Sequence, residues 1–89
     1  MTVPNDIAVT LRYFAGAGAA AGIEAEHVTL PAGSTVASAL TGAGDRRGPA
    51  LARVIAASSV LVDGVHQHTG ETQLTDGATL DVLPPFAGG

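Results

Sequence analysis

The sequence predicts an α+β domain in which a mixed sheet of about five strands carries one main helix and a short second helix. Apolar residues alternate with other residues at 7–14 and at 78–83, which indicates a strand near each end of the chain. Apolar residues at helical spacing follow Ser34, a good helix N-cap, and indicate a helix between these strands. The pair Asp63-Gly64 is typical of a two-residue hairpin turn between two shorter strands.

The first half of the chain is predicted to form a hairpin followed by the main helix. In the first strand, residues 7–14, Phe14 shares a face with Arg12 and lies opposite the larger apolar residues. A connector of small residues, with one or two helical turns, leads to a more polar strand at 24–30, which we expect at a sheet edge. Ser34 then caps a helix of about two to three turns.

The second half is predicted to supply a short helix and the remaining strands. A solvated loop at 45–48 precedes Pro49, which can occupy the first position of a helix. Strands at 59–62 and 65–68 flank the hairpin turn, and 78–83 is the last strand. A hairpin, a crossover helix and a final strand in this order are the β-grasp plan. The last strand then pairs parallel with the first in the middle of the sheet.

The last six residues are interpreted as a flexible tail, 84–89, that follows a domain of residues 1–83. Pro84 and Pro85 cannot donate to a strand ladder, so sheet pairing stops there. Gly88 and Gly89 carry no side chains, so the terminal carboxylate, which is an anion at neutral pH, ends a thin and flexible segment. Six residues reach about 20 Å when extended. Such a tail can enter a partner's active site, where its carboxylate can attack the α-phosphate of ATP; the alternative is a disordered chain end without a role.

Strand alternation leaves two apolar residues on the face away from the helix. Leu80 and Val82 are expected to face the helix, which turns Asp81 and Leu83 toward solvent. If the first and last strands are neighbours, Phe14 lies near Leu83 on that face. We therefore predict that Phe14 and Leu83 form a docking patch for a partner. The alternatives are that alternation lapses at the strand end, or that the tail covers Phe14.

Composition excludes several function classes. The 89 residues suffice for one domain, and their net charge of −4, with eight acidic residues, four arginines and no lysine, argues against nucleic-acid binding. The absence of cysteine excludes a disulfide framework, a thiolate nucleophile and a cysteine-based zinc site. Without lysine the chain also cannot build lysine-linked chains of itself. No signal peptide or membrane-spanning run is evident, so we expect a cytoplasmic protein.

Two local motifs are weaker candidates for chemistry. The glycines at 16, 18 and 22 follow a strand but lack the spacing and the βαβ context of a dinucleotide-binding loop. His66 and His68 share one strand face and could hold a metal, but no third ligand is assured nearby. We expect exposed hairpin histidines and no metal site. The serines have no convincing His-Asp partners for nucleophilic catalysis.

Four segments, at 11–15, 30–36, 74–77 and 83–89, together resemble the MoaD/ThiS family of ubiquitin-like sulfur carriers, above all the small subunit of molybdopterin synthase. The likeness runs in order across nearly the whole chain. Its most specific part is the closing segment, Leu-Pro-Pro-Phe-Ala-Gly-Gly.

The resemblance implies a β-grasp fold and a thiocarboxylate mechanism. An E1-like adenylyltransferase adenylates Gly89 with ATP and magnesium, and sulfur then replaces the AMP; the chain itself binds no cofactor. The tail next enters the large catalytic subunit of molybdopterin synthase, where the sulfur passes to a pterin precursor. The chain is thus a carrier subunit without catalytic residues beyond its terminal carboxylate. The residues implied to thread into the partner are Pro84, Pro85, Phe86, Ala87 and Gly88, and those implied to dock are Phe14 and Leu83.

One departure and several alternatives accompany this resemblance. Family members often carry an Arg-Glu pair after the first strand, whereas residues 16–20 carry no charge here. Related carriers supply thiazole or cysteine biosynthesis, although the extra helical segment expected at 49–57 favours the molybdopterin branch. A ubiquitin-like modifier attached to other proteins through Gly89, and a β-grasp interaction domain with an incidental Gly-Gly end, are the other hypotheses.

Overall fold

A computed structural model describes residues 5–85, which fold into one five-stranded mixed sheet with helices packed against one face. The strands are β1 (Asp6–Tyr13), β2 (Ala25–Pro31), β3 (Ser59–Val62), β4 (Val65–His66) and β5 (Ala78–Leu83). The helices are α1 (Gly16–Ala21), α2 (Val36–Arg47) and α3 (Pro49–Ala56). The strand order β2-β1-β5-β3-β4 confirms the predicted β-grasp fold.

The parallel pairing of β1 with β5 lies in the middle of the sheet, as the sequence predicts. Val9 pairs with Ala78 and Tyr13 with Val82, so the inward-facing residues of both strands lie side by side. Each central strand turns alternate residues toward the helices, where burial of apolar surface stabilises the fold by about 25 cal/mol per Å². The best-buried large side chains of this core are Val9, Leu11, Leu51, Leu80 and Val82.

The main helix begins one residue later than predicted. Thr35, not Ser34, is the N-cap: its hydroxyl accepts a hydrogen bond from the Ser38 backbone N–H at 3.1 Å. The Thr35 N–H in turn donates to the Ser38 hydroxyl at 2.9 Å, which completes a reciprocal capping arrangement. The Ser34 hydroxyl is already engaged, because it donates to the Pro31 carbonyl at 2.7 Å and closes the preceding turn.

The prediction of a solvated loop at 45–48 is wrong, since α2 continues through Arg47. Gly48 ends the helix with a φ of 112°, a backbone conformation that favours glycine. The last turn of α2 stays helical because its two arginines contact Glu26 on the edge strand β2. Arg47 donates two hydrogen bonds to the Glu26 carboxylate, at 3.1 and 3.3 Å, and Arg46 donates one at 3.4 Å.

Glu26 also ties this helix end to the centre of the sheet. The buried Tyr13 donates its hydroxyl to the Glu26 carboxylate at 2.6 Å. Burial alone would raise the pKa of Glu26. The hydrogen bonds from Arg47 and Tyr13 and the charges of both arginines outweigh burial and lower that pKa. Burial and the bond to Glu26 raise the pKa of Tyr13 well above its usual range.

The predicted Asp63-Gly64 turn is confirmed. Asp63 and Gly64 both have positive φ, 49° and 84°, as a two-residue hairpin turn between twisted strands requires. The Asp63 carboxylate accepts a hydrogen bond from the Thr79 N–H at 2.9 Å and so holds the turn against β5. The return strand β4 ends at His66 and is shorter than the predicted 65–68.

None of the helices among residues 5–85 has the length and apolarity needed to cross a membrane.

Candidate functional site

An apolar groove lies where β5 ends, between the outer face of the sheet and α3. It has a volume of about 800 Å³, and most of the residues that line it are apolar. We call it the outer groove and define it by the larger residues that line it, Phe14, Val54, Leu61, Leu83, Pro84 and Pro85. The predicted docking residues Phe14 and Leu83 thus line one groove together with the first two residues of the predicted tail.

Phe14 is held at the end of β1 by backbone contacts on both sides. Its N–H donates to the Val82 carbonyl at 3.1 Å, which extends the parallel pairing by one residue. Its carbonyl accepts from the Ala17 N–H at 2.9 Å, while Ala15 between them takes an unusual positive φ of 49°. This turn leaves the Phe14 side chain 38% exposed at the mouth of the groove.

An ion pair lies beside the groove on the same face. The Arg12 guanidinium donates to both carboxylate oxygens of Asp81, at 2.6 and 2.7 Å, and lies 5.3 Å from the centre of the Phe14 ring. Asp81 is therefore only 6% exposed, which corrects the prediction that it faces solvent: Arg12 covers it. The hydrogen bond to Asp81 and the attraction between the charges raise the pKa of Arg12.

A second, smaller groove of about 380 Å³ lies on the helix side of Pro84 and Pro85. We call it the helix-side groove and define it by Ala20, Ala50, Arg53, Val54, Ala57, Pro84 and Pro85. Val54, Ala57 and the two prolines line both grooves. The two prolines at the base of the predicted tail therefore border both grooves, and α3 contributes to both of them.

The structure accounts for only part of the predicted site. Phe14, Leu83, Pro84 and Pro85 come together, whereas residues 86–89, including Gly89, lie outside the described residues. Sequence reasoning missed Leu61 and Val54. Leu61 pairs with Asp81 across β3 and β5 and so lies on the outer face. The run Val60-Leu61-Val62, apolar on both faces of a strand, was the signal that could have shown this.

His66 and His68 approach each other, with ring centres 4.8 Å apart in an edge-on arrangement. Across residues 5–85, however, no three histidine, aspartate or glutamate side chains come together in a way that could hold a metal ion.

The family of the chain is decided by a match to the ThiS family model over residues 11–89, which includes the closing Gly88-Gly89. The chain belongs to the ThiS family. The MoaD/ThiS resemblance found in the sequence is thereby confirmed. Comparison with curated protein sequences gives no match.

Solved structures share this fold over nearly their whole length. SAMP1 from Haloferax volcanii is 26% identical, with a TM-score of 0.81 over 92% of this chain and 99% of that one. A Pyrococcus furiosus protein assigned as subunit 1 of a molybdopterin converting factor is 22% identical, with a TM-score of 0.75 over 89% and 98% of the two chains. A chain in the complex of subunits 1 and 2 of the Helicobacter pylori molybdopterin-converting factor is 18% identical, with a TM-score of 0.66 over 93% and 100%.

Proposed function

We propose that the chain is a ubiquitin-like sulfur carrier whose C-terminal carboxylate, at Gly89, is activated and used by other proteins. The observation that carries the proposal is the outer groove at the end of β5. This apolar groove lies at the base of a segment that leads to Gly88-Gly89, and the family match extends through both glycines; both observations support a docking role for the groove. A partner that binds this surface has the terminal residues within reach.

The proposed chemistry proceeds in two steps on the terminal carboxylate. An E1-like enzyme binds ATP and magnesium; a carboxylate oxygen of Gly89 attacks the α-phosphate, and pyrophosphate leaves. Hydrosulfide then attacks the carbonyl carbon of the acyl adenylate, the bond to AMP breaks and AMP leaves, and loss of the hydrosulfide proton leaves a thiocarboxylate. The described residues contribute docking and presentation. Pro84 and Pro85 end the sheet pairing, and their fixed φ angles limit the entropy lost when the following residues enter a partner.

We further propose that the sulfur is delivered in molybdopterin biosynthesis, with this chain as the small subunit of molybdopterin synthase. The fold it shares with the Pyrococcus and Helicobacter subunits supports this pathway. The short helix α3, Pro49–Ala56, also supports the molybdopterin pathway, because related carriers that serve thiazole biosynthesis are usually shorter and lack such a helical segment. The large catalytic subunit would then be the second partner of the outer groove.

A protein modifier is the second candidate function, and the likeness to SAMP1 favours it specifically. SAMP1 from Methanosarcina acetivorans, described as small archaeal modifier protein 1, is likewise 26% identical to this chain. In that case the activated Gly89 would be transferred to lysine amines of other proteins. Because the chain has no lysine, no lysine-linked polymer of itself could form on such a conjugate.

Intact-mass analysis of the chain isolated from its native cells tests the proposal. A carrier shows a species in which one terminal oxygen is replaced by sulfur, and this species reacts with iodoacetamide. The chain has no cysteine, so an alkylated product at the C-terminus identifies the thiocarboxylate and separates it from methionine oxidation. A modifier instead appears as a branched conjugate on lysines of other proteins.

A variant lacking Gly89 is the matched control. We expect it to fold as the wild type does and to give neither the alkylated species nor the conjugate. If wild-type chain from cells that actively use the pathway carries neither product, the proposed function is wrong.

A further inference from the structure

In the part of the chain that the structure describes, the two grooves at the base of the tail carry a single charged residue between them, although the chain as a whole is acidic. Every other residue that lines the outer or the helix-side groove is apolar or uncharged; the exception is Arg53. None of the chain's eight acidic residues lines either groove, so within residues 5–85 Arg53 is the one charged side chain beside Pro84 and Pro85.

The other three arginines are already paired. Arg12 contacts Asp81 at 2.6 Å, and Arg46 and Arg47 contact Glu26 at 3.4 and 3.1 Å. Among residues 5–85, Arg53 has no carboxylate within 4.0 Å. The neighbouring helix α1 also has no charged residue that could serve as its partner. Arg53 is therefore the arginine of the described chain whose charge is available to another molecule.

The fold places this charge firmly. α3 is anchored by Leu51, which is fully buried, and by Val54, which packs against the core and lines both grooves together with Pro84 and Pro85. Arg53 directly precedes Val54 in the last turn of the helix. A partner that covers the apolar surface around the two prolines consequently brings its own surface over Arg53.

We infer that Arg53 is an electrostatic contact for the activating enzyme. The surface of the E1-like enzyme that covers the two grooves then presents an aspartate or glutamate opposite Arg53. This acidic residue lies at the edge of an apolar patch on the enzyme. The inference rests on the proposed function and names the chemistry of its partner. Charge complementarity favours this occupant, because an unpaired cation at an interface rim attracts an anionic side chain and repels basic surfaces. Both candidate functions require an activating enzyme, so the contact serves either one.

A side-chain carboxylate fits Arg53 better than the phosphate of the acyl adenylate does. Arg53 lies at the base of the tail, whereas the adenylate forms on Gly89, four residues beyond Pro85. Four residues span up to about 14 Å. A tail that enters an active site therefore carries the phosphate away from Arg53.

The test compares Arg53→Gln with Arg46→Gln. Both variants remove one positive charge from a helix, but Arg46 does not line either groove, and Arg47 keeps Glu26 paired in its absence. Each full-length chain is titrated against the recombinant E1-like adenylyltransferase of the same genome. Association and dissociation rates are measured at low and at physiological salt, together with pyrophosphate release and thermal unfolding.

We expect Arg53→Gln to bind about three- to tenfold more weakly than the wild type, mainly through slower association, with a flatter salt dependence. Arg53→Lys should recover most of the loss, and Arg46→Gln should bind as the wild type does. If Arg53 only stabilises the C-terminal end of α3, Arg53→Gln should instead lower the thermal stability of the domain and leave its association rate with the enzyme unchanged.

Three results overturn the inference. In the first, Arg53→Gln and Arg46→Gln bind equally well while the wild type is adenylated; the proposed function then stands and only the Arg53 contact fails. In the second, Arg53→Gln binds more tightly, which assigns the cation to the chain's own terminal carboxylate. In the third, the wild type neither binds the enzyme nor is adenylated, and the proposed function fails with the inference.

Discussion

The inner and outer faces of the two central strands differ in what their side chains do. On the inner face of β1 and β5, Leu11, Leu80 and Val82 are completely buried beneath the helices. On the outer face the same strands present an ion pair, Arg12 with Asp81, and the rim of an apolar groove. Adjacent residues of one strand therefore serve either the fold or the surface, because a strand turns successive side chains to opposite sides.

This difference shows how, in a small domain, the residues that stabilise the fold can be distinct from the residues that form a binding surface. The helices cover one face, and the other is left open where β1 and β5 end. Substitutions of equal chemistry at neighbouring positions, such as Val82 and Leu83, should then affect different properties.

Val82→Asp should have the largest effect on the fold. Val82 is completely buried, and an unpaired buried carboxylate costs several kcal/mol. That cost is comparable with the total stability of a small domain, about 5–15 kcal/mol. We expect no cooperative urea transition in far-UV circular dichroism, and a folded Val82→Asp variant would show that the inner face is less closed than described.

Arg12→Met should destabilise the domain, because it leaves the covered Asp81 carboxylate without its partner, and an unsatisfied buried acceptor costs about 1–3 kcal/mol. Methionine keeps most of the cover that the arginine stem provides. Asp81→Asn is the matched control: it retains an acceptor oxygen, and the half-exposed Arg12 can turn to water, so its cost should be smaller. Urea denaturation of both variants gives the comparison, and equal costs would contradict it.

Glu26→Gln should cost about 1–2 kcal/mol at neutral pH, because it removes the charge that holds Arg46 and Arg47. Since the folded-state pKa of Glu26 is lowered, its contribution is present above the unfolded value, about 4.3, and is lost as the pH falls toward the folded value. The difference in unfolding free energy between wild type and variant should therefore stay constant from pH 7 to about pH 5 and shrink below about pH 4. A difference that persists undiminished at lower pH would assign the effect to packing instead.

Features with a local cause could be predicted from the sequence. The bounds of the last strand, the Asp63-Gly64 turn and the parallel partner of the first strand follow from alternation, turn chemistry and the order of the elements. The family could be predicted because four segments resemble it in order along the chain, and the family match spans residues 11–89, which include all four.

Features that depend on distant partners could not be predicted. Asp81 is buried because Arg12, 69 positions away, covers it. Residues 45–47 are helical because the two arginines reach Glu26, about twenty positions earlier in the chain. The run Val60-Leu61-Val62 indicates that apolar residues lie on both faces of β3, but only the register between β3 and β5 determines that Leu61 joins the groove. Charge pairing and strand register are properties of the folded chain, and both decide which side chains border the site.

Leu83→Asp should have the smallest effect on stability, less than about 1 kcal/mol, because Leu83 is only half-buried at the end of β5. It is the neighbour of Val82, so the two aspartate variants differ only in the face that receives the charge. If the outer groove is the docking surface, Leu83→Asp should unfold as the wild type does yet bind the activating enzyme at least about tenfold more weakly, mainly through faster dissociation. Phe14→Asp provides an independent variant on the other side of the groove. If Leu83→Asp binds normally, the groove is not the docking surface; if it unfolds as Val82→Asp does, Leu83 belongs to the core and the two faces are not independent.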